Sequence, residues 1–158
     1  MHQNTSSETL RVGAELLRHG ADVISISKHF FNTKPVNQLK LWGRVLSRAS
    51  QDKNGVVTSA ITQADLKEFE ANKDMISGAI EFLKYIPGIQ YARILCDEEE
   101  GKVKGSLRTI REDVDVSSIA AQFGGGGHIK AAGFSIPGQL QREMGWKVVG
   151  GGAGERAF

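Results

Sequence analysis

The residues with legible chemistry lie in two short stretches, Gln122 to Phe134 and Ser106-Leu107-Arg108-Thr109. Four consecutive glycines, Gly124, Gly125, Gly126 and Gly127, carry no Cβ atoms, so backbone N–H groups can turn toward a ligand and positive φ costs no strain. Successive amides turned that way form an anion nest. His128 and Lys130 add two side-chain donors beside it. Ile129-Lys130-Ala131-Ala132 is of helix-forming type, which predicts a helix N-terminus aimed at the same anion. The run is neither a Walker loop nor a dinucleotide fingerprint, so a plain flexible loop stays open beside a phosphate site. Apolar flanks, Ile119, Ala120 and Phe123 before and Ala131, Ala132 and Phe134 after, speak for a packed setting and against a linker.

Alternation at a strand end puts Ser106 and Arg108 on one face, where a guanidinium can take a phosphate bidentately and a hydroxyl can support it. An ordinary exposed strand arginine is the alternative. The acidic run Asp97-Glu98-Glu99-Glu100 reads as a solvated hairpin turn, because contiguous carboxylates splay apart and no histidine converges with them. His2, His19 and His29 read as helix-end or solvent residues.

These groups need elements to position them. Thr5 and Glu8 fit a capping box that opens a helix ending before Gly20, with Leu10, Gly13, Ala14 and Leu17 as its buried stripe. Asp22 caps a second helix carrying Val23, Ile26 and Phe30, and Pro35 opens a third carrying Leu39, Trp42 and Leu46. Three such helices could form a bundle, but their apolar faces also suit packing onto something larger preceding Met1, and the second arrangement is expected. Asn54-Gly55 is a hairpin signal followed by a strand over Val56 to Ile61, and a second domain begins here. Thr62 to Asp65 forms another capping box, and Ile76, Ala79, Ile80 and Leu83 mark a helix that stops before Pro87-Gly88. Strands follow over Tyr91 to Cys96 and Lys102 to Arg108, then a helix from Ser118 to Phe123 that delivers the chain into the glycines. For 139–149, Leu140 and Met144 suggest a helix and Trp146 to Val149 a strand; the strand is favoured. The expected class is α/β: N-terminal helices, then a small mixed-sheet domain with a glycine-rich phosphate-binding loop. The divisions fall at 1–49, 50–149 and a flexible tail, 150–158.

Bulk properties narrow the field without choosing a partner. A chain of 158 residues with 40% hydrophobic and 24% charged content is long enough for a folded domain and ordinary for a globular protein. A net charge of +2 is too small to advertise wholesale nucleic-acid binding, and one cysteine, Cys96, excludes an internal disulfide framework. No membrane span or signal peptide is evident, so a cytoplasmic location is expected.

Ser106-Leu107-Arg108-Thr109, the Val114-Asp115-Val116 entry and Phe123 to His128 followed by Ala131-Ala132-Gly133-Phe134 resemble the C-terminal, DHH-associated domain of the DHH phosphoesterases. Asn4 to Leu46 resembles the end of the preceding DHH domain. The resemblance implies a two-lobed phosphoesterase with manganese or magnesium held by the N-terminal lobe, whose Asp-His-His motif does not occur here. No cofactor or metal is therefore expected in this chain itself. It also implies that Ser106, Arg108, Gly124 to Gly127, His128 and Lys130 bind substrate phosphate, with His128 an auxiliary catalytic group only against the other lobe. His128-Ile129-Lys130-Ala131-Ala132-Gly133 looks closest to the bifunctional oligoribonucleases that also hydrolyse 3′-phosphoadenosine 5′-phosphate. The implied partners are a nucleotide or short single-stranded RNA and the missing lobe, and homodimer formation is left open. A stand-alone RNA-binding module, and the single-strand exonuclease and cyclic dinucleotide phosphodiesterase branches, remain the alternatives. The chain alone is expected to be inactive.

Overall fold

The computed structural model describes residues 5–29, 33–99, 101–142, 146–149 and 156–157. The expectations for His2, Phe30, Glu100 and Met144 lie outside the described residues, as does the tail apart from 156–157. The chain divides into two compact units, Met1–Pro35 and Val36–Phe158. The third helix of the chain packs into the second unit.

The first unit holds α1 (Ser7–Arg18) and α2 (Val23–Ser27). Ser6 rather than Thr5 caps α1, accepting from the Thr9 amide at 3.1 Å, and Glu8 is drawn off to Arg11 at 2.7 and 2.9 Å instead of reaching back. Gly20 follows the helix with φ +90°, the left-handed stop expected there, and Asp22 caps α2 by accepting from Ile24 and Ser25. The anticipated stripe is present but not buried. Leu10 and Leu17 are each more than half exposed, and neither helix buries a residue.

The second unit is built on a six-stranded mixed sheet. In chain order its elements are α3 (Val36–Ser47), β1 (Ser50–Gln51), β2 (Val56–Ile61), α4 (Gln63–Glu68), a 3-10 turn (Lys73–Ile76), α5 (Ala79–Leu83), β3 (Tyr91–Glu98), β4 (Lys102–Arg108), α6 (Val116–Ala121), β5 (Gly126–His128) and β6 (Ala131–Pro137). Strand order is β1-β2-β3-β4-β6-β5, with β2 and β3 parallel and the other neighbours antiparallel. A separate three-stranded sheet joins β7 (Gln139–Arg142), β8 (Trp146–Val149) and β9 (Arg156–Ala157). The preference for strand over 139–149 is met by β7 and β8.

Alternation assigns the two faces of the large sheet. On one, Val57 and Ile61 of β2 with Ala92, Ile94 and Cys96 of β3 pack against Leu41 and Val45 of α3 and Ile80 and Leu83 of α5. On the other, Leu95, Val103, Leu107, Ala132 and Phe134 pack against Val116 and Ala120 of α6. The stripe expected on α3 is therefore out of phase. Leu41 and Val45 are buried, whereas Leu39 and Leu46 are exposed and Trp42 is half-buried. One helix was expected over Ile76 to Leu83. It is two pieces because Gly78 adopts φ +97° between them, directly beneath the Trp42 indole.

A buried ion-pair cluster ties α3 to α4. Asp65, the acidic member of the expected Thr62 capping box, accepts from Arg44 at 2.6 Å and from Arg48 at 2.5 and 2.8 Å. Burial alone would raise this carboxyl. Hydrogen bonds from Arg48 and Thr62 outweigh it and hold the group below its ordinary range.

Candidate phosphate-binding groove

On the first face of the sheet, the β4-β6-β5 half together with Ile94 and Cys96 of β3 opens into a groove of about 920 Å³. The strands supply the floor and the segment from Lys73 to Glu81 supplies a wall. Even-numbered residues of β4 face this space: Lys104, Ser106 and Arg108. Their neighbours Val103 and Leu107 are buried on the opposite face. The pairing register carries the row across the sheet. Arg108 lies opposite Ala131, and Ala131 opposite His128; Ser106 lies opposite Gly133, and Gly133 opposite Gly126. Small residues therefore keep the floor low between the polar side chains.

The glycine run is not a loop leading into a helix. Ile129-Lys130 is a turn and Ala131-Ala132 begins β6, so the expected helix N-terminus does not exist. Helix-forming residue types are overridden because this segment pairs with β4 on one side and β5 on the other. The glycines do separate work. Gly124 has φ +73° after α6, with amides of Gly124 and Gly125 donating to Ala121 and Ala120 in a Schellman-type stop. Gly125 and Gly127 sit hard against β6: a Cβ on Gly125 would lie 2.2 Å from the Gly133 oxygen, and one on Gly127 2.6 Å from the Ala131 oxygen. Gly126 alone lines the groove, with open space where its Cβ would be.

Ser106, Arg108, Gly126 and His128 thus share one concavity. Lys130 does not join them, since its ammonium is directed to the Arg111 carbonyl oxygen and lies 3.5 Å from Glu112. Arg108 is held in place: Nη1 donates to its neighbour's carbonyl oxygen on Leu107 at 2.8 Å, and Nε lies 3.4 Å from Glu81, which also pairs with Lys84. A fork fixed on one side loses less freedom when its other donors engage an anion. Cys96 also lines the floor, but burial pushes its thiol up to about 12, so it offers no thiolate near neutral pH. Asp97 is not part of a solvated turn either. It lies within β3, is buried, and accepts from the Leu140 amide at 2.7 Å.

Reasoning from sequence missed Lys104 and the wall. Lys104 extends the Ser106/Arg108 alternation by one step and was legible on that ground, whereas the wall arises from the break at Gly78. Among the described residues, no three His, Cys, Asp or Glu side chains converge to hold a metal ion, so the manganese or magnesium the resemblance implies does not fit the residues here. No described helix is long and apolar enough to cross a membrane.

Comparison with known proteins identifies the family. A family model described as DHHA1 domain matches residues 52–148. A Thermus thermophilus protein named bifunctional oligoribonuclease and PAP phosphatase NrnA is 33% identical over 85% of the chain and 40% of its own length. A shorter match, 50% identical over 32% of the chain, is to the oligoribonuclease NrnB of Bacillus subtilis, of which it covers 12%. An exopolyphosphatase-related protein from Bacteroides fragilis superposes with a TM-score of 0.78 at 26% identity, over 85% of this chain and 39% of that one. The chain spans about 40% of the length of the bifunctional relative it matches.

Proposed function

The chain belongs to the DHHA1 family, the C-terminal domain of DHH phosphoesterases, and on that premise we propose that it is the substrate-recognition half of a metal-dependent phosphoesterase. Its ligands are nucleotides such as 3′-phosphoadenosine 5′-phosphate and short RNA, the classes named for its relative from Thermus. The observation that carries this reading is the convergence of Ser106, Arg108 and His128 on one groove floored by Gly126, Ala131 and Gly133.

The chemistry of the groove supports a phosphate ligand. Arg108 presents a planar fork suited to two phosphate oxygens, the Ser106 hydroxyl can donate to a third, and the His128 ring brings a further donor from the neighbouring strand. Gly126 and Gly133 allow a ligand to approach the sheet backbone closely, which any larger residue would prevent. In this reading the chain binds and orients the phosphate, and hydrolysis belongs to the lobe that carries the metals.

Calorimetric titration of the chain with AMP, 3′-phosphoadenosine 5′-phosphate and a short oligoadenylate, with no metal added, tests the reading. Wild type is expected to bind, and Arg108→Ala to bind about 10- to 100-fold more weakly with unchanged melting, the loss of a charged hydrogen-bond pair. Equal affinities in the two proteins, or no binding of any ligand by wild type, would remove the groove as a phosphate site.

A further inference from the structure

The groove does not end at Arg108 and Ser106. Its third β4 residue, Lys104, projects from the same face at the far end of the row and is exposed. Residues in an antiparallel strand advance by about 3.4 Å each, so the Cα atoms of Lys104 and Arg108 stand about 14 Å apart with Ser106 midway. With its guanidinium held at the Leu107 carbonyl oxygen and beside Glu81, Arg108 is placed to take an anion at its own end of the row, which leaves Lys104 free to take another at the opposite end.

The groove's cations differ in what holds them. Arg108 lies 3.4 Å from Glu81, and Lys73 on the wall pairs with Glu98 at 3.2 Å. Lys104 makes no ion pair or side-chain hydrogen bond among the described residues. The register places it opposite Cys96 and Ser135, neither of which carries a charge near neutral pH. A lysine on an open strand is ordinarily just a solvated charge. Here it stands at the end of a polar row, inside a concavity that also holds Asp74 and Glu81, with neither carboxylate paired to it.

Beyond this end the surface changes sign. The next hollow, of about 750 Å³, shares Lys73 and Asp74 with the groove and adds Glu70, Asp97, Glu98 and Glu99 against Lys67 and Lys102. A polyanion that continued past Lys104 would meet an excess of carboxylates, so the favourable track is bounded.

We propose that Lys104 is a second phosphate anchor, making the groove selective for ligands with two phosphate groups, one held at Arg108 and the other at Lys104. The inference rests on the proposed function and adds a specificity determinant to the same site. The second phosphate can be the terminal group of a bisphosphorylated nucleoside or an internucleotide group of a short oligonucleotide. Its recognition by an ammonium is the same in both.

The test compares wild type, Lys104→Ala and Lys104→Arg with AMP, 3′-phosphoadenosine 5′-phosphate and triadenylate, each titrated at several salt concentrations. Lys104→Ala is expected to keep AMP affinity within about twofold and to lower affinity for at least one of the other two about tenfold, with Lys104→Arg restoring it. The salt slope for the affected ligand should fall by about one, as one phosphate contact is lost. A loss confined to the bisphosphorylated nucleoside identifies a terminal phosphate, and one confined to triadenylate an internucleotide phosphate; either supports the anchor. An equal loss for AMP, or no loss for either larger ligand, overturns it. Should wild type bind AMP in an Arg108-dependent way while Lys104→Ala changes nothing, only this inference falls. If wild type binds none of the three, the functional reading falls with it.

Discussion

The two faces of β4 and its neighbours are made from the same strands and differ in almost every physical respect. On the α6 side, Val103 and Leu107 are sealed under a helix, and Phe134 stacks on Phe123 with ring centroids 4.5 Å apart. On the groove side, one residue away in each case, Lys104, Ser106, Arg108 and His128 stand over alanine and glycine. The difference teaches that stability and ligand recognition are separated here by strand parity. A change at one residue and a change at its neighbour should therefore fail in different ways.

The largest expected effect is on the sealed face. Leu107 is 1% exposed, and Leu107→Ala should destabilise the fold by about 2–5 kcal/mol, measured by denaturant unfolding. A cost below about 1 kcal/mol would mean that this face is not the core it resembles. Sharper still is the contrast between adjacent glycines. Gly125→Ala drives a Cβ into the Gly133 oxygen at 2.2 Å and should cost about 1–3 kcal/mol through overpacking. Gly126→Ala meets open space and should stay within about 0.5 kcal/mol of wild type while weakening phosphate binding. Equal melting shifts for the two variants would break the parity argument.

The smallest effect lies outside both faces and is confined to acid. Because the Asp65 carboxyl is depressed in the folded chain, its contribution to stability is present above the unfolded carboxylate range and is lost as pH falls through the lower, folded value. Asp65→Asn cannot lose it. The stability gap between wild type and Asp65→Asn should therefore narrow as pH falls through the carboxylate range, and a gap that stays constant would show that the Arg44 and Arg48 pairing does not titrate.

Local signals were legible in the sequence where a residue answers to its own turn or strand. The Thr62 and Asp65 capping box, the Asp22 cap and the left-handed Gly55 after Asn54 all form as their residue types dictate. The Ser106 and Arg108 alternation was legible for the same reason, since strand parity needs no tertiary information. What failed depended on partners distant in sequence. Ile129 to Ala132 carries helical residue types, yet pairing with β4 makes its end a strand; Leu39 and Leu46 look like a buried stripe, yet the sheet selects Leu41 and Val45. The wall of the groove could not be read because nothing about Lys73 to Glu81 announces that it will stand over strands that follow it in the chain.

That wall carries a consequence for how the groove can be watched. The Trp42 indole donates to the Met75 carbonyl oxygen at 2.7 Å, meets Phe82 edge-on at 5.7 Å, and lies 2.8 Å from where a Cβ of Gly78 would be. The chain has one other tryptophan, Trp146. With Trp146 replaced by phenylalanine, tryptophan emission comes from a single indole wedged behind the wall. A ligand that moves the 3-10 turn or Gly78 alters the polarity and quenching around that indole, whereas one that seats only on the strands leaves its spectrum still.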